Sequence, residues 1–161
     1  MVTGEGPRTE RLLIRIAERR DVGAIVALFA ADALGGHGDT TEAEAAGAYL
    51  AAFERISRSP NDTLYVAELN GEIVGTFQTT LIPGMPGRGG TSFQIEAVQT
   101  RQDMRGRGIG ALMINHAVSK ARAANARLVQ LMSNETRERA HGFYERLGFA
   151  KSHVGFKMKL K

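Results

Sequence analysis

Apolar positions along the chain fall into two rhythms, one of about two residues and one of about three and a half, and their alternation predicts the elements. Leu12-Leu13-Ile14-Arg15-Ile16-Ala17 is a short β-branched run. Val22, Ile25, Val26 and Phe29 then recur at helical spacing behind Arg20-Asp21. A glycine segment, Gly35-Gly36-His37-Gly38-Asp39, breaks the pattern and is expected to be mobile. An Ala-rich helix opens at Thr40-Thr41-Glu42-Ala43-Glu44, runs to about Ser57, and is stopped by Ser59-Pro60. Two β-rich runs, Thr63 to Leu69 and Glu72 to about Ile82, flank Asn70-Gly71, the strongest short hairpin signal. A Pro/Gly loop over 83–90 leads to a third run, Thr91 to Val98, where Phe93, Ile95 and Ala97 share one face and Gln94, Glu96 and Val98 the other. Ile109, Leu112, Met113, His116 and Ala117 then form a helical stripe reaching about Ala124. The strand Leu128 to Met132 follows, parallel to its predecessor because a helix intervenes. A last helix is expected from about Thr136 to Leu147, stopped by Gly148, and a final β segment from Phe149 to Leu160. The order β-α-α-β-β-β-α-β-α-β predicts an α/β (α+β) fold: one mixed sheet with helices against it, in a single domain over 1–161 whose residues 1–10 are expected to be flexible.

Length and composition narrow the chemistry. With 161 residues, 43% of them hydrophobic and 24% charged, the chain buries an ordinary core without staples. It has no cysteine, which rules out disulfides, thiolate metal sites and thiol nucleophiles. The longest apolar run, Ala24 to Ala31, is far short of a membrane span, and the first residues lack the apolar core of a secretory signal. A soluble, cytoplasmic protein without a membrane partner is expected. No His pair or carboxylate cluster has ligand spacing, so no metal is expected.

The net charge of +4 (21 − 17) is unevenly spread. Lys151, Lys157, Lys159 and Lys161 read as a solvated strand edge, where lysine discourages edge-to-edge pairing. Arg101, Arg105 and Arg107 sit among glycines, a cluster too short for nucleic acid but sized for the phosphates of one ligand. In Arg105-Gly106-Arg107-Gly108-Ile109-Gly110-Ala111, between strand and helix, backbone N–H groups can converge on an anion that the helix dipole favours. Glycine at 106, 108 and 110 is expected to let a pyrophosphate approach the backbone. The segment also satisfies the dinucleotide fingerprint G-x-G-x-x-A, with Glu135 downstream, which leaves a nicotinamide-nucleotide reading open.

Arg105-x-x-Gly108-x-Gly110, Asn134, and Ala140-His141-Gly142-Phe143-Tyr144-Glu145-Arg146-Leu147-Gly148-Phe149 together resemble the GCN5-related N-acetyltransferases (GNAT). The resemblance covers nearly the whole chain in element order and is most specific from Glu96 to Phe149. It implies a V-shaped opening between two splayed parallel strands where acetyl-CoA binds as co-substrate. It further implies that Arg105, Gly106, Arg107, Gly108, Ile109, Gly110 and Ala111 hold the pyrophosphate, that Ala97 and Val98 pair with the pantetheine arm, and that Asn134 and Tyr144 lie beside the cofactor. Direct transfer to a primary amine needs a base, for which Glu96 is the candidate, its pKa raised by partial burial. A backbone N–H near Val98 is a donor to the developing oxyanion if the strand bulges there. Tyr144 resembles the family's general acid toward the departing thiolate. Each has a plainer reading: Glu96 as a solvated strand residue, Tyr144 as core packing, Asn134 as a helix cap.

Acceptor recognition falls by position to His37, Arg88 and Glu96. The stretch from Ala140 through Ser152-His153 to Phe156-Lys157 resembles the aminoalkylphosphonate acetyltransferase branch, which implies a small amine bearing an anionic group. Aminoglycosides, polyamines and protein amines are alternatives, for which Glu42, Glu44 and Glu54 would supply an acidic groove. A non-catalytic acyl-CoA-binding or protein-interaction module is the alternative of a different class. A homodimer through the last β segment or the sheet edge is also implied by the resemblance.

Overall fold

The computed structural model describes residues 11–32, 35 and 37–161, so the expectation for residues 1–10 and part of that for the glycine segment lie outside the described residues. Five strands, β1 (Leu12–Ile16), β2 (Asp62–Leu69), β3 (Glu72–Ile82), β4 (Ser92–Thr100) and β5 (Leu128–Leu131), form one sheet in the order of the chain. Each neighbouring pair is antiparallel except β4 and β5. The β2–β3 hairpin turns on Asn70 (φ 51°) and Gly71 (φ 86°), both in the left-handed region that a two-residue turn of this hand requires.

Helices cover both faces. On one side α1 (Val22–Ala30) and α2 (Ala46–Arg58) close a small cluster of Ala17, Ile25 and Val66, with Phe29, Phe53, Leu64 and Ile73 packed against it. On the other, α4 (Ile109–Ala123) and α5 (Glu138–Arg146) belong to the main core, where Phe77, Ile95, Met113 and Ile114 are wholly buried. A single irregular turn, α3 (Pro86–Gly89), lies in the β3–β4 connection. Alternation explains the division: along β2, Tyr65, Ala67 and Leu69 enter the main core while Leu64 and Val66 enter the smaller one.

Beyond Phe149 the chain departs from expectation. Residues 150–161 are exposed and pair with no strand, so the predicted final β segment is absent from the sheet and, among the described residues, β5 is left as its edge. The period-two pattern that predicts a strand is there; the partner is not.

His116, on the inner side of α4, sets its ring edge-on to Tyr65 (centroids 5.4 Å apart) and Phe77 (6.3 Å), and its buried Nε2 has no hydrogen-bond partner among the described residues. Burial, and secondarily Lys120, pushes its pKa below the usual histidine value. The folded state therefore prefers the neutral ring. Its contribution is complete above the unfolded pKa of about 6.5 and is lost as pH falls below it, because the unfolded chain takes up the proton first. Urea unfolding at pH values above and below about 6.5 should show this fall, and His116→Phe should flatten it.

Candidate active site

The pairing of β4 with β5 runs from Ser92↔Leu128 to Ile95↔Leu131 and stops there. From Glu96 onward the β5 side of β4 has no strand beside it, and this opening is the expected splay. At the same point the β3–β4 register slips: Thr76 faces Gln99 while Gln78 faces Glu96, so β4 carries one extra residue between them. Ala97 takes φ 53° to accommodate it. A left-handed alanine costs on the order of 1 kcal/mol, which the surrounding pairing must hold. The bulge on which the oxyanion donor depended is thus present at Ala97–Val98, at the mouth of the opening.

From Thr100 the chain passes through a 3-10 turn, Gln102–Met104, into the glycine turn. Gly106 (φ 77°) and Gly108 (φ 81°) are left-handed, and a Cβ on either would meet nothing within 4 Å. Here glycine is required by the backbone, and the space outside it is open. Gly108 precedes the first turn of α4, which has no acidic side chain, so the unpaired N–H groups of that turn face no carboxylate of their own. Gly110 has another task than the one expected of it. A Cβ there would stand 3.3 Å from Cζ of Phe143, so its smallness lets α5 pack closely on α4. Arg105 is exposed, with Nε 3.4 Å from the Thr100 carbonyl, and Arg107 rests Nη1 3.0 Å from the Met104 sulfur. A hollow of about 260 Å³ between α1 and the end of β4 is lined by Thr100, Arg101, Gln102 and Arg105 among others. Open backbone on β4, a left-handed glycine turn and exposed arginines beside a hollow fit a long, phosphate-bearing ligand such as acetyl-CoA.

Known proteins bear this out at the level of family. The sequence profile of the acetyltransferase (GNAT) family matches residues 24–149. The chain belongs to that family. Over 104 residues it is 32% identical to an uncharacterized N-acetyltransferase of Methanocaldococcus jannaschii, covering 63% of this chain and 45% of the relative. Over 97 residues it is 33% identical to the aminoalkylphosphonate N-acetyltransferase of Salmonella typhimurium, covering 60% of this chain and 62% of the relative. Each match thus spans less than two thirds of the curated relative's length. Among solved structures, one from Bacillus halodurans described as a transcriptional regulator is 35% identical with a TM-score of 0.89, covering 93% of this chain and all of the other. Family membership displaces the dinucleotide-fold reading: the fingerprint sits in the one parallel β-α-β unit of an otherwise antiparallel sheet.

Within this GNAT chain the remaining candidates divide. Glu96 lies on the face opposite the buried Ile95 and is exposed, so the partial burial expected around it is absent. Tyr144, in α5, is half-buried between Phe143 (5.2 Å, edge-on) and Phe149 (6.0 Å), and burial raises its pKa above the usual phenol value. Asn134 serves the turn before α5: its Oδ1 accepts from the Thr136 N–H (3.0 Å) and hydroxyl (2.8 Å), and its carbonyl lies 2.8 Å from His141 Nε2. Its side-chain oxygen therefore closes a local turn over Thr136, while α5 itself begins at Glu138 behind Arg137 without a side-chain cap, so the helix-cap reading does not describe it. Arg88 is not brought to the opening. It lies in α3, at the other end of β4, in a loop whose Gly87 and Gly90 lie against the Arg127 side chain. Of the acidic residues on the second helical segment, Glu54 is held by Arg19 at 2.8 Å.

His37 is better situated. With Asp32, Asp39 and Gln99 it lines a hollow of about 130 Å³ against the last residues of β4. Asp32 was not among the sequence candidates. Its side chain, 7% exposed, accepts from Gln99 Nε2 at 2.6 Å and from Arg137 Nη2 at 3.1 Å, tying the end of α1 to β4 and to the start of α5. A lone carboxylate closing an apolar helix was the only signal; its partners lie 67 and 105 residues away.

Proposed function

We propose that the chain is an N-acetyltransferase moving an acetyl group from acetyl-CoA to a primary amine of a small molecule by direct transfer. The observation that carries this is the coincidence of the β4–β5 opening, the bulge at Ala97–Val98 and the glycine turn within one stretch of chain. Arg105, Arg107 and the amides from Gly106 to Ala111 would hold the pyrophosphate, and the free side of β4 at Ala97 and Val98 the pantetheine amides. Bound there, acetyl-CoA supplies an activated acetyl thioester.

The residues of the chain do the rest. Glu96 accepts the proton that the attacking amine must lose, and its exposure favours relay through a water molecule. The Val98 N–H, turned by the bulge, donates to negative charge developing on the carbonyl oxygen. Tyr144 holds a proton for the departing sulfur, and the raised pKa supports this role because it keeps the phenol protonated at neutral pH. Packing and catalysis coexist in Tyr144: the ring is covered and the hydroxyl supplies the proton.

A small amine carrying an anionic group is the favoured acceptor. The hollow at Asp32, His37, Asp39 and Gln99 is small and presents the Asp39 carboxylate and the His37 ring to a polar ligand. The name of the Salmonella relative points the same way. The other reading, an acyl-CoA-binding module without catalysis, draws on the regulator description of the Bacillus chain.

Thiol release measured with a panel of small amines separates the two. With the preferred amine, Glu96→Gln and Tyr144→Phe are each expected to lower kcat about 10²-fold while leaving acetyl-CoA binding unchanged. Thiol release that neither substitution alters would remove Glu96 and Tyr144 from the mechanism, and none with any amine despite tight acetyl-CoA binding would leave the binding module standing.

A further inference from the structure

Asp32 stands where local chemistry disfavours it. It lies just beyond the end of α1, at the negative end of the helix dipole, and the last turn of α1 has no basic side chain to offset it. Its side chain is nevertheless buried, at 7% exposure, and a buried carboxylate persists only where partners are brought to it. It has two. Gln99 of β4 donates Nε2 to Oδ2 at 2.6 Å, and Arg137 donates Nη2 to both oxygens at 3.1 Å. Gly35 leaves the space beside Oδ2 open, for a Cβ there would stand 2.7 Å from it. A breach of local preference that only distant partners make good marks a residue with a task outside its own helix.

The partners lie on opposite walls of the opening. Gln99 follows the bulge at Ala97–Val98 on β4. Arg137 belongs to the other wall: it stands immediately before α5, the helix that follows β5, and its carbonyl accepts the His141 N–H at 3.1 Å. Tyr144 comes about two turns further along the same side of α5. The Arg137 charge is felt at its phenol, where it opposes the effect of burial on the pKa. Beyond Ile95↔Leu131 no ladder joins β4 to β5 among the described residues, so side chains must set the distance between the walls. Phe143 against Gly110 holds α5 to α4, and Arg137 holds it to β4 through Asp32.

We infer that Asp32 is a positioning residue for the transfer: anchored on β4 by Gln99, it fixes the start of α5 through Arg137, and so the distance of the Tyr144 hydroxyl from the bulge where the thioester would lie. The carboxylate borders the hollow proposed for the acceptor, but its oxygens are taken up by Gln99 and Arg137. Its part is to hold the two walls rather than to bind the amine. Asp32 acts in this way only if Tyr144 is the proton donor proposed above.

Thiol release at saturating amine, set beside calorimetric titration with acetyl-CoA, tests this. Asp32→Asn, which keeps the shape and removes the charge, should lower kcat about tenfold while the acetyl-CoA dissociation constant stays within about twofold. Arg137 reaches Asp32 through a single nitrogen, so a lysine ammonium can stand in for it. Arg137→Lys should therefore keep kcat within about threefold of wild type, and Arg137→Gln should lose about as much as Asp32→Asn. In a Tyr144→Phe background Asp32→Asn should cost less than about twofold more, because the group it positions is gone. Hydrogen exchange at the His141 amide, which needs no activity, should quicken about tenfold in Asp32→Asn. Should Asp32→Asn fail to fold, Arg137→Gln, at a side chain 34% exposed, carries the same measurements. With Tyr144→Phe slow, a wild-type kcat in Asp32→Asn or Arg137→Gln, losses that multiply in the Tyr144→Phe background, or unchanged exchange at His141 would each overturn the role of Asp32 and leave the transfer standing. A Tyr144→Phe enzyme as fast as wild type, or no thiol release from wild type with any amine, would overturn the reading of the site and the role of Asp32 with it.

Discussion

Gly108→Val should weaken acetyl-CoA binding by about three orders of magnitude, roughly 4 kcal/mol, and leave a folded protein. The two effects separate because of what surrounds the residue. A Cβ at 108 meets no protein atom within 4 Å, so the cost to the fold is backbone strain at φ 81°. That is on the order of 1–2 kcal/mol and a few degrees of melting temperature. The open space it would fill is where, on the proposed function, the amides of the glycine turn and the first turn of α4 would meet a phosphate. Gly110→Ala is the matched control. Its methyl would press on Phe143 from 3.3 Å, so it should lower the melting temperature while weakening binding far less. Calorimetric titration with acetyl-CoA and a thermal melt on both variants give the contrast. Normal binding by Gly108→Val would remove the anion site from the account of this protein.

The glycine turn also shows how unevenly the sequence discloses its structure. The Asn70-Gly71 hairpin, the helical stripes and the position of the turn were legible because each is set by neighbours in the chain: turn chemistry, periodicity, a helix start. The roles of the three glycines were not equally so. Gly106 and Gly108 answer to backbone conformation, whereas Gly110 answers to Phe143 on another helix, a contact that no local pattern reports. The bulge at Ala97 is of the same kind, since only the register against β3 reveals the extra residue. Asp32 was missed for the distance in sequence to Gln99 and Arg137. The segment after Phe149 is the converse case: its alternation predicts a strand, yet residues 150–161 pair with no strand of the sheet, although β5 is left as an edge. Glu96 was rightly assigned to the strand beside the glycine turn, yet its exposure depends on which helices cover that face, and α1 and α2 lie mainly over β3 and β2.

Asp21→Ala is expected to destabilise the fold by about 3–5 kcal/mol, a large share of the roughly 5–15 kcal/mol that holds a domain together. Asp21, 5% exposed, receives both terminal nitrogens of Arg15, at 2.7 and 3.0 Å, and the Glu18 N–H at 2.7 Å. Arg15 in turn reaches Glu68 on β2 at 2.7 Å. Removing the carboxylate strands a half-buried guanidinium with one partner and leaves the Glu18 amide unpaired at the start of α1. The Arg15 guanidinium, and then the Glu18 N–H, hold the Asp21 pKa below the usual carboxylate value. A depressed pKa stabilises the fold fully above the unfolded value of about 3.9 and progressively less as pH falls through the folded one. The gap between wild type and Asp21→Ala in urea unfolding should accordingly be constant from neutral pH down to about 5 and narrow below about 4. Arg15→Lys, which keeps the charge but not the two-pronged geometry, should cost less than Asp21→Ala and more than nothing. The same network fixes the beginning of α1, and α1 ends two residues before Asp32, at the hollow proposed for the acceptor. A loosened start should therefore appear in the enzyme as a raised KM for the amine before the fold itself gives way.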